Sequence, residues 1–140
     1  MDTREIEQHL VDCRDFQGVF SRDTLPSSPR LLICNTDPST KSGQHWIAIC
    51  IDRDKRGEYF DPFGKPPDEH FKNYMDKHCR RWIFNRKQLQ SVVSSFCGYY
   101  CCFYCRLKSG GLTMIGIIKI FSKDTGFNDL LVHNAVCNKR

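Results

Sequence analysis

The sequence predicts an α+β fold in which a small mixed or antiparallel sheet packs with helices. Three observations carry this. Runs rich in β-formers (LLICN, HWIAICID, EYF) crowd the first half of the chain. A helical apolar period follows at Phe71, Tyr74, Met75 and Cys79, and then an almost wholly apolar stretch spans 97–107. Strands and helices do not alternate as βα units. The 140 residues, 40% hydrophobic and 26% charged, suit one globular domain spanning 1–140 with a core that needs no disulfide staples.

In chain order, Ile6, Leu10 and Val11 predict a helix over 3–12, with Asp2 or Thr3 as its cap. Residues 22–29 hold Pro26 and Pro29 and read as a loop. Leu31–Asn35 reads as a buried strand, 36–43 as a polar loop and 45–52 as a second strand. A polar turn at 53–57 and a strand at 58–60 complete a hairpin. Three prolines and Gly64 make 61–67 a loop. Asp68 caps an amphipathic helix over 68–80, a short strand follows at 82–84, and 90–96 is an irregular polar approach to Cys97. Residues 97–107 form a buried central helix ended by Gly110 and Gly111. Two more helices are expected over 112–121 and 127–137.

Residues 1–10 are charged from the second position, so no secretory signal is expected, and no apolar run is long enough to cross a bilayer. The nine cysteines are odd in number and lack a secretion signal, which argues against a disulfide framework. Only Cys102 and Cys105 have ligand-like C-x-x-C spacing, with no matching second pair, so no metal is expected. The net charge is +5, and Lys77, Arg80, Arg81, Arg86 and Lys87 crowd residues 77–87. Such a run is most often a solvated face; the functional alternative is a docking surface for DNA or another polyanion.

Thiol hydrolysis of an amide needs a thiolate, an imidazole, a group that orients the imidazole, and donors for the developing oxyanion. Cys97 falls at the predicted N-terminus of the central helix, where the macrodipole and free N–H groups favour a thiolate. Gly98 follows and lets a substrate backbone come close. Cys101, Cys102 and Cys105 lie inside the helix and read as core. His45 starts a strand beside a loop, whereas His9, His70, His78 and His133 sit on predicted helices or helix ends without a supporting partner. Asp61 ends the next strand, so the hairpin returns it to the His45 end; Asp52 and Asp54 fall at the far turn. Gln90, seven residues before Cys97, is either an oxyanion donor or an ordinary glutamine, and residue chemistry alone does not choose.

Three spaced blocks resemble the adenovirus protease (adenain) family, whose wider clan includes the proteases that process SUMO-like modifiers. They are Gly43-Gln44-His45-Trp46, Tyr59-Phe60-Asp61-Pro62-Phe63-Gly64, and Gln90-x-x-x-Ser94-x-x-Cys97-Gly98. Phe16–Phe20 as FQGVF, Asn35-Thr36 and Cys101-Cys102 extend the likeness. The resemblance implies an adenain-like cysteine protease fold, with His45 as base, Asp61 as its orienting carboxylate, Gln90 in the oxyanion hole and Cys97 as nucleophile. That family often has glutamate where Asp61 stands. Trp46 and Gly98 are expected to line the substrate cleft. The family's stimulation by DNA and by an activating peptide suggests a DNA role for the 77–87 cluster and a disulfide role for Cys79. It also implies cleavage of capsid or core precursor proteins during virion maturation, in a virion or host-cell nucleus or cytoplasm. A monomer without membrane association and without a metal or organic cofactor is expected. The alternatives are an isopeptidase for ubiquitin-like modifiers and a catalytically inactive DNA-binding virion protein.

Overall fold

The computed structural model describes residues 1–37 and 45–138. The expected loop over 36–43 falls mostly outside the described residues, as do Gly43 and Gln44 of the first sequence block. Among the described residues the order is α1 (Thr3–His9), β1 (Phe16–Ser21), β2 (Leu31–Asn35), β3 (Trp46–Ile51), β4 (Arg56–Phe60), α2 (Glu69–His78), β5 (Arg81–Phe84), α3 (Cys97–Ser109), α4 (Met114–Ile118) and α5 (Thr125–Cys137). The strands form one mixed sheet in sequence order. The β2–β3 and β3–β4 pairs are antiparallel, and the outer pairs β1–β2 and β4–β5 are parallel.

Both faces of the sheet are covered, which explains why β2 and β3 read as continuous apolar runs. Side chains alternate along each strand. Leu31, Ile33, Trp46, Ala48 and Phe60 join the core built around α3, α5 and α1. Leu32, Cys34, Ile47, Ile49 and Tyr59 face the other way and pack with Phe71 and Met75 of α2. The central helix α3 buries Tyr100, Cys101, Cys102, Tyr104 and Cys105. Its end closes where the Gly110 N–H reaches Arg106 O, Gly111 turns at φ +95° and the Leu112 N–H returns to Leu107 O.

Several boundaries differ from the sequence expectation, each for a local reason. Strand β1 was not anticipated from periodicity: all its residues are half-buried, and Gly18 (φ +137°) sits in a register shift against β2, so no alternation shows. Helix α1 stops at His9, where the Leu10 N–H reaches Ile6 and Glu7 carbonyls. Strand β4 starts at Arg56 because the Asp52 carboxylate gathers the Asp54 and Arg56 N–H groups around Lys55 (φ +63°). Helix α2 ends at His78, and Cys79 is its extended C-cap. Helix α4 is confined to five residues, because Leu112 closes α3 and Thr113 caps the new turn at the Gly116 N–H. Helix α5 begins two residues earlier than expected, behind its Asp124 cap.

The loop after β4 is held by its own sequence. Its Gly64 has φ +71°, and a Cβ there would come within 2.6 Å of the Lys87 backbone. The Leu89 and Gln90 N–H groups both donate to Pro62 O, at 2.9 and 3.0 Å. This welds the loop to the segment leading to Cys97. Gly64→Ala is therefore expected to destabilise the chain by about 1–3 kcal/mol. Thermal unfolding followed by circular dichroism checks this; an unchanged melting temperature would refute it.

Candidate active site

The hairpin brings one end of two strands together. Ala48 pairs with Phe60, so His45 before β3 and Asp61 after β4 emerge at the same edge. His45 Nε2 donates to Asp61 Oδ1 at 2.9 Å. The other ring nitrogen, Nδ1, remains for the Cys97 sulfur, with which the imidazole also hydrogen-bonds. Phe63 stacks on the His45 ring, with centroids 5.0 Å apart and planes 24° apart.

Asp61 is 5% exposed. A carboxylate that dry must be hydrogen-bonded or neutralised. Its Oδ1 accepts the Phe63 N–H at 2.8 Å as well as the imidazole. Its backbone is clamped by buried Asn85: the Asp61 N–H donates to Asn85 Oδ1 at 2.8 Å and Asn85 Nδ2 donates to Asp61 O at 2.6 Å.

Cys97 is the first residue of α3 and is 7% exposed. Its neighbour Phe96 provides no side-chain cap, so the helix's leading N–H groups are not taken by a capping oxygen. Burial opposes ionisation of the thiol. The His45 hydrogen bond and the Trp46 and Gly98 backbone N–H groups outweigh it and hold the Cys97 pKa below the ordinary cysteine value. Burial likewise opposes an imidazolium, yet the hydrogen bonds to Asp61 and Cys97 raise the His45 pKa to about 9. The two shifts have one meaning: the thiolate–imidazolium form is favoured. Elsewhere on α3 burial prevails, pushing Cys102 up to about 12 and Cys101 and Cys105 well above the ordinary value.

Gln90 is 1% exposed. Its Nε2 donates to Ser94 O and Ser94 Oγ, each at 3.1 Å, and its Oε1 has no partner among the described residues. The amide protons are thus engaged by Ser94 rather than free in a cleft. Helix α5 holds this segment: Asn128 Nδ2 donates to Leu89 O at 3.1 Å, and Asp129 Oδ1 accepts the Tyr100 hydroxyl at 2.6 Å and the Ser91 N–H at 3.3 Å. Asn85, Asn128 and Asp129 escaped the sequence reading. Nothing in their local sequence distinguishes them from surface amides and acids.

Of the remaining sequence candidates, Trp46 and Gly98 stay beside Cys97 through their backbone N–H groups, and the others scatter. Trp46 is buried, and Gly98 lies beneath Met1. Lys77, Arg80, Arg81 and Arg86 are exposed, spread over the end of α2 and the edge strand β5, where charge also protects an open sheet edge. Lys87 is half-buried, with Nζ donating to Phe121 O at 3.4 Å. Cys79 packs under Gly57, and burial raises its thiol pKa. Among the described residues no group of three or more His, Cys, Asp or Glu could hold a metal ion, and no helix is long and apolar enough to cross a membrane.

The arrangement of sheet and helices has counterparts of known structure. The fold is the adenain-like cysteine protease fold. The ASFV protease overlays 94% of this chain and 66% of its own at a TM-score of 0.67 and 17% identity. The central domain of the Lpg1148 protein of Legionella pneumophila overlays 99% and 94% at 0.60 and 13%. In sequence, the chain is 29% identical over 108 residues to the protease of Bovine adenovirus 7, covering 66% of this chain and 51% of that protein. The adenovirus-protease resemblance read from the three blocks is thereby borne out. The chain spans about half the length of that viral relative. No family model matches it.

Two outcomes test the electrostatics. Alkylation of Cys97 by iodoacetamide, resolved from the other cysteines by peptide mass spectrometry, should stay fast at pH 7, where an ordinary thiol is only a few per cent ionised; His45→Ala should slow it roughly ten-fold and move its pH profile upward. The raised His45 pKa also stabilises the fold in its protonated form. That contribution is fully present below the ordinary value of 6.5 and is lost as pH rises through about 9. The melting-temperature gap between wild type and Asp61→Asn should therefore be widest below pH 6.5 and close towards pH 9; a gap that widens with pH would contradict this.

Proposed function

We propose that this chain is a cysteine endopeptidase, with Cys97 as nucleophile, His45 as general base and acid, and Asp61 orienting the histidine. The observation that carries the reading is the continuous hydrogen-bonded series from Asp61 through His45 to the lowered-pKa thiol of Cys97. The thiolate attacks the scissile carbonyl and the His45 imidazolium gives its proton to the leaving amine. A water deprotonated by His45 then hydrolyses the thioester and regenerates the thiol. The Cys97 backbone N–H and the Gln90 amide serve the oxyanion, the latter once its nitrogen exchanges Ser94 for the substrate oxygen. Trp46 and Gly98 line the cleft.

The substrates under this reading are capsid or core precursor proteins of a virus or virus-like element, cleaved in the virion or infected cell. Its support is the adenovirus relative together with the three motif blocks. The exposed Lys77, Arg80, Arg81 and Arg86 are the proposed contacts for stimulatory DNA, and Cys79 is the proposed partner of an activating peptide.

Hydrolysis of glycine-containing precursor peptides by wild type, Cys97→Ala, His45→Ala and Asp61→Ala tests this, with and without DNA. Loss of Cys97 or His45 should lower kcat by at least about 10⁴-fold, and loss of Asp61 by less. Turnover that survives Cys97→Ala would refute the proposal. Release of an intact ubiquitin-like modifier, with precursor peptides left uncut, would replace it by the isopeptidase reading.

A further inference from the structure

A cavity opens beside His45, between the turn that follows β4 and the segment that leads to α3. Phe63 and Lys65 form one wall, Gln88 and Val92 the other, and they enclose about 290 Å³, a space on the scale of one amino-acid side chain. The walls are fixed to each other, because Pro62 O accepts the Leu89 and Gln90 N–H groups. They are also fixed to the site. Phe63 stacks on the His45 ring, and Gln88 Nε2 donates to Gln90 O at 3.0 Å. The Ser91 N–H, just before Val92, is held by Asp129 Oδ1 at 3.3 Å.

The lining has a definite chemistry. Phe63 is half-buried and Val92 is 74% exposed, so two apolar side chains face each other across an open space. Lys65 supplies the only charge of the lining. It is exposed and makes no ion pair among the described residues. The nearest acid in sequence on this turn, Asp61, is already engaged by His45 and the Phe63 N–H, and Asp68 is paired with Arg22 at 3.0 Å.

We infer that this cavity is the subsite for the first residue after the scissile bond, and that it selects a side chain with an apolar stem and a terminal carboxylate, glutamate above all. The inference rests on the protease reading above. In that reaction the oxyanion forms towards the Cys97 N–H and the Gln90 amide, and the leaving nitrogen takes its proton from His45. That nitrogen must come within hydrogen-bond reach of the imidazole, about 2.6–3.2 Å. The leaving strand therefore starts between His45 and the Gln90 segment. The cavity is walled by the ring stacked on that imidazole and by residues on both sides of Gln90, so it lies where the leaving strand departs. A glutamate stem lies on Phe63 and Val92, and its carboxylate meets the Lys65 ammonium. A lysine in the same place meets a like charge. Because Lys65 is exposed, the selection is graded and weakens with added salt.

Two measurements on wild type, Lys65→Glu and Lys55→Glu test it. Both lysines are exposed, and melting curves confirm folding. Lys55 lies in the β3–β4 turn, at the end of the hairpin away from His45, so its reversal changes the net charge equally without touching the cavity. In the first measurement, peptides differing only by glutamate, glutamine or lysine after the scissile bond are compared by kcat/KM at low salt. Wild type should favour glutamate over lysine by about 3–10-fold, the sum of one exposed attraction and one exposed repulsion, with glutamine between. Lys65→Glu should invert that order, and Lys55→Glu should keep it within about two-fold. In the second, which needs no turnover, Cys97 alkylation by N-chloroacetyl-glutamate amide is compared with that by N-chloroacetyl-lysine amide, resolved from the other cysteines by peptide mass spectrometry. The same preference and the same inversion are expected. Turnover in which Lys65→Glu keeps the wild-type ratio, or Lys55→Glu shifts it equally, would overturn the subsite alone. Absent turnover in every variant with the alkylation ratio inverted by Lys65→Glu would overturn the protease reading and leave the cavity's selectivity in place. Absent turnover with that ratio unmoved would overturn both.

Discussion

Asp61 is a carboxylate placed where water scarcely reaches, and most of the site's geometry is arranged to make that tolerable. Burying a charge without partners costs several kcal/mol. Here the imidazole of His45 and the Phe63 N–H both meet Oδ1, and Asn85 fixes the backbone on either side of the residue. The consequence runs outward along the chain. The turn that follows presents Pro62 O to two N–H groups of the 89–90 segment, and Gly64 lets the Lys87 backbone approach. A single buried acid thus ties the β3–β4 hairpin to the stretch that ends at Cys97.

The second half of the site comes from α3. Its apolar residues bury it against β3 and β2, while Asn128 and Asp129 of α5 hold the preceding segment by Leu89, Ser91 and Tyr100. Cys97 lies at the one end of this helix where backbone donors point outward. The same chain carries cysteines a turn or two further on whose thiols burial makes inert. The acidity of these thiols follows position on the helix, not residue type.

Not every part of the site is set for chemistry. Gln90 is fully enclosed, with both amide protons on Ser94 and its oxygen unpaired among the described residues. An unsatisfied buried acceptor costs roughly 1–3 kcal/mol. Histidine, aspartate and cysteine are by contrast already joined. The candidate site combines a hydrogen-bonded Asp61–His45–Cys97 series with a buried amide whose oxygen has no partner among the described residues.

The strand-forming runs at 31–35 and 45–52, the Asp68-capped helix and the apolar stretch after Cys97 were legible because their periodicity and caps are local. The spaced blocks around His45, Asp61 and Cys97 named the candidate site for the same reason: each block carries its own turn or helix-start chemistry. Strand β1 was hidden by its half-buried edge position and its glycine irregularity. Met1 over Gly98, Asn85 behind Asp61, and Asn128 and Asp129 behind Leu89 and Ser91 were hidden more deeply. These partners lie tens of residues apart in the chain, and only the packing of α1, β5 and α5 around the sheet and α3 brings them together. The sequence alone determined which residue types could do thiol chemistry and the elements that would carry them. The tertiary structure decided their protonation and their accessibility, because burial and long-range hydrogen bonds set both.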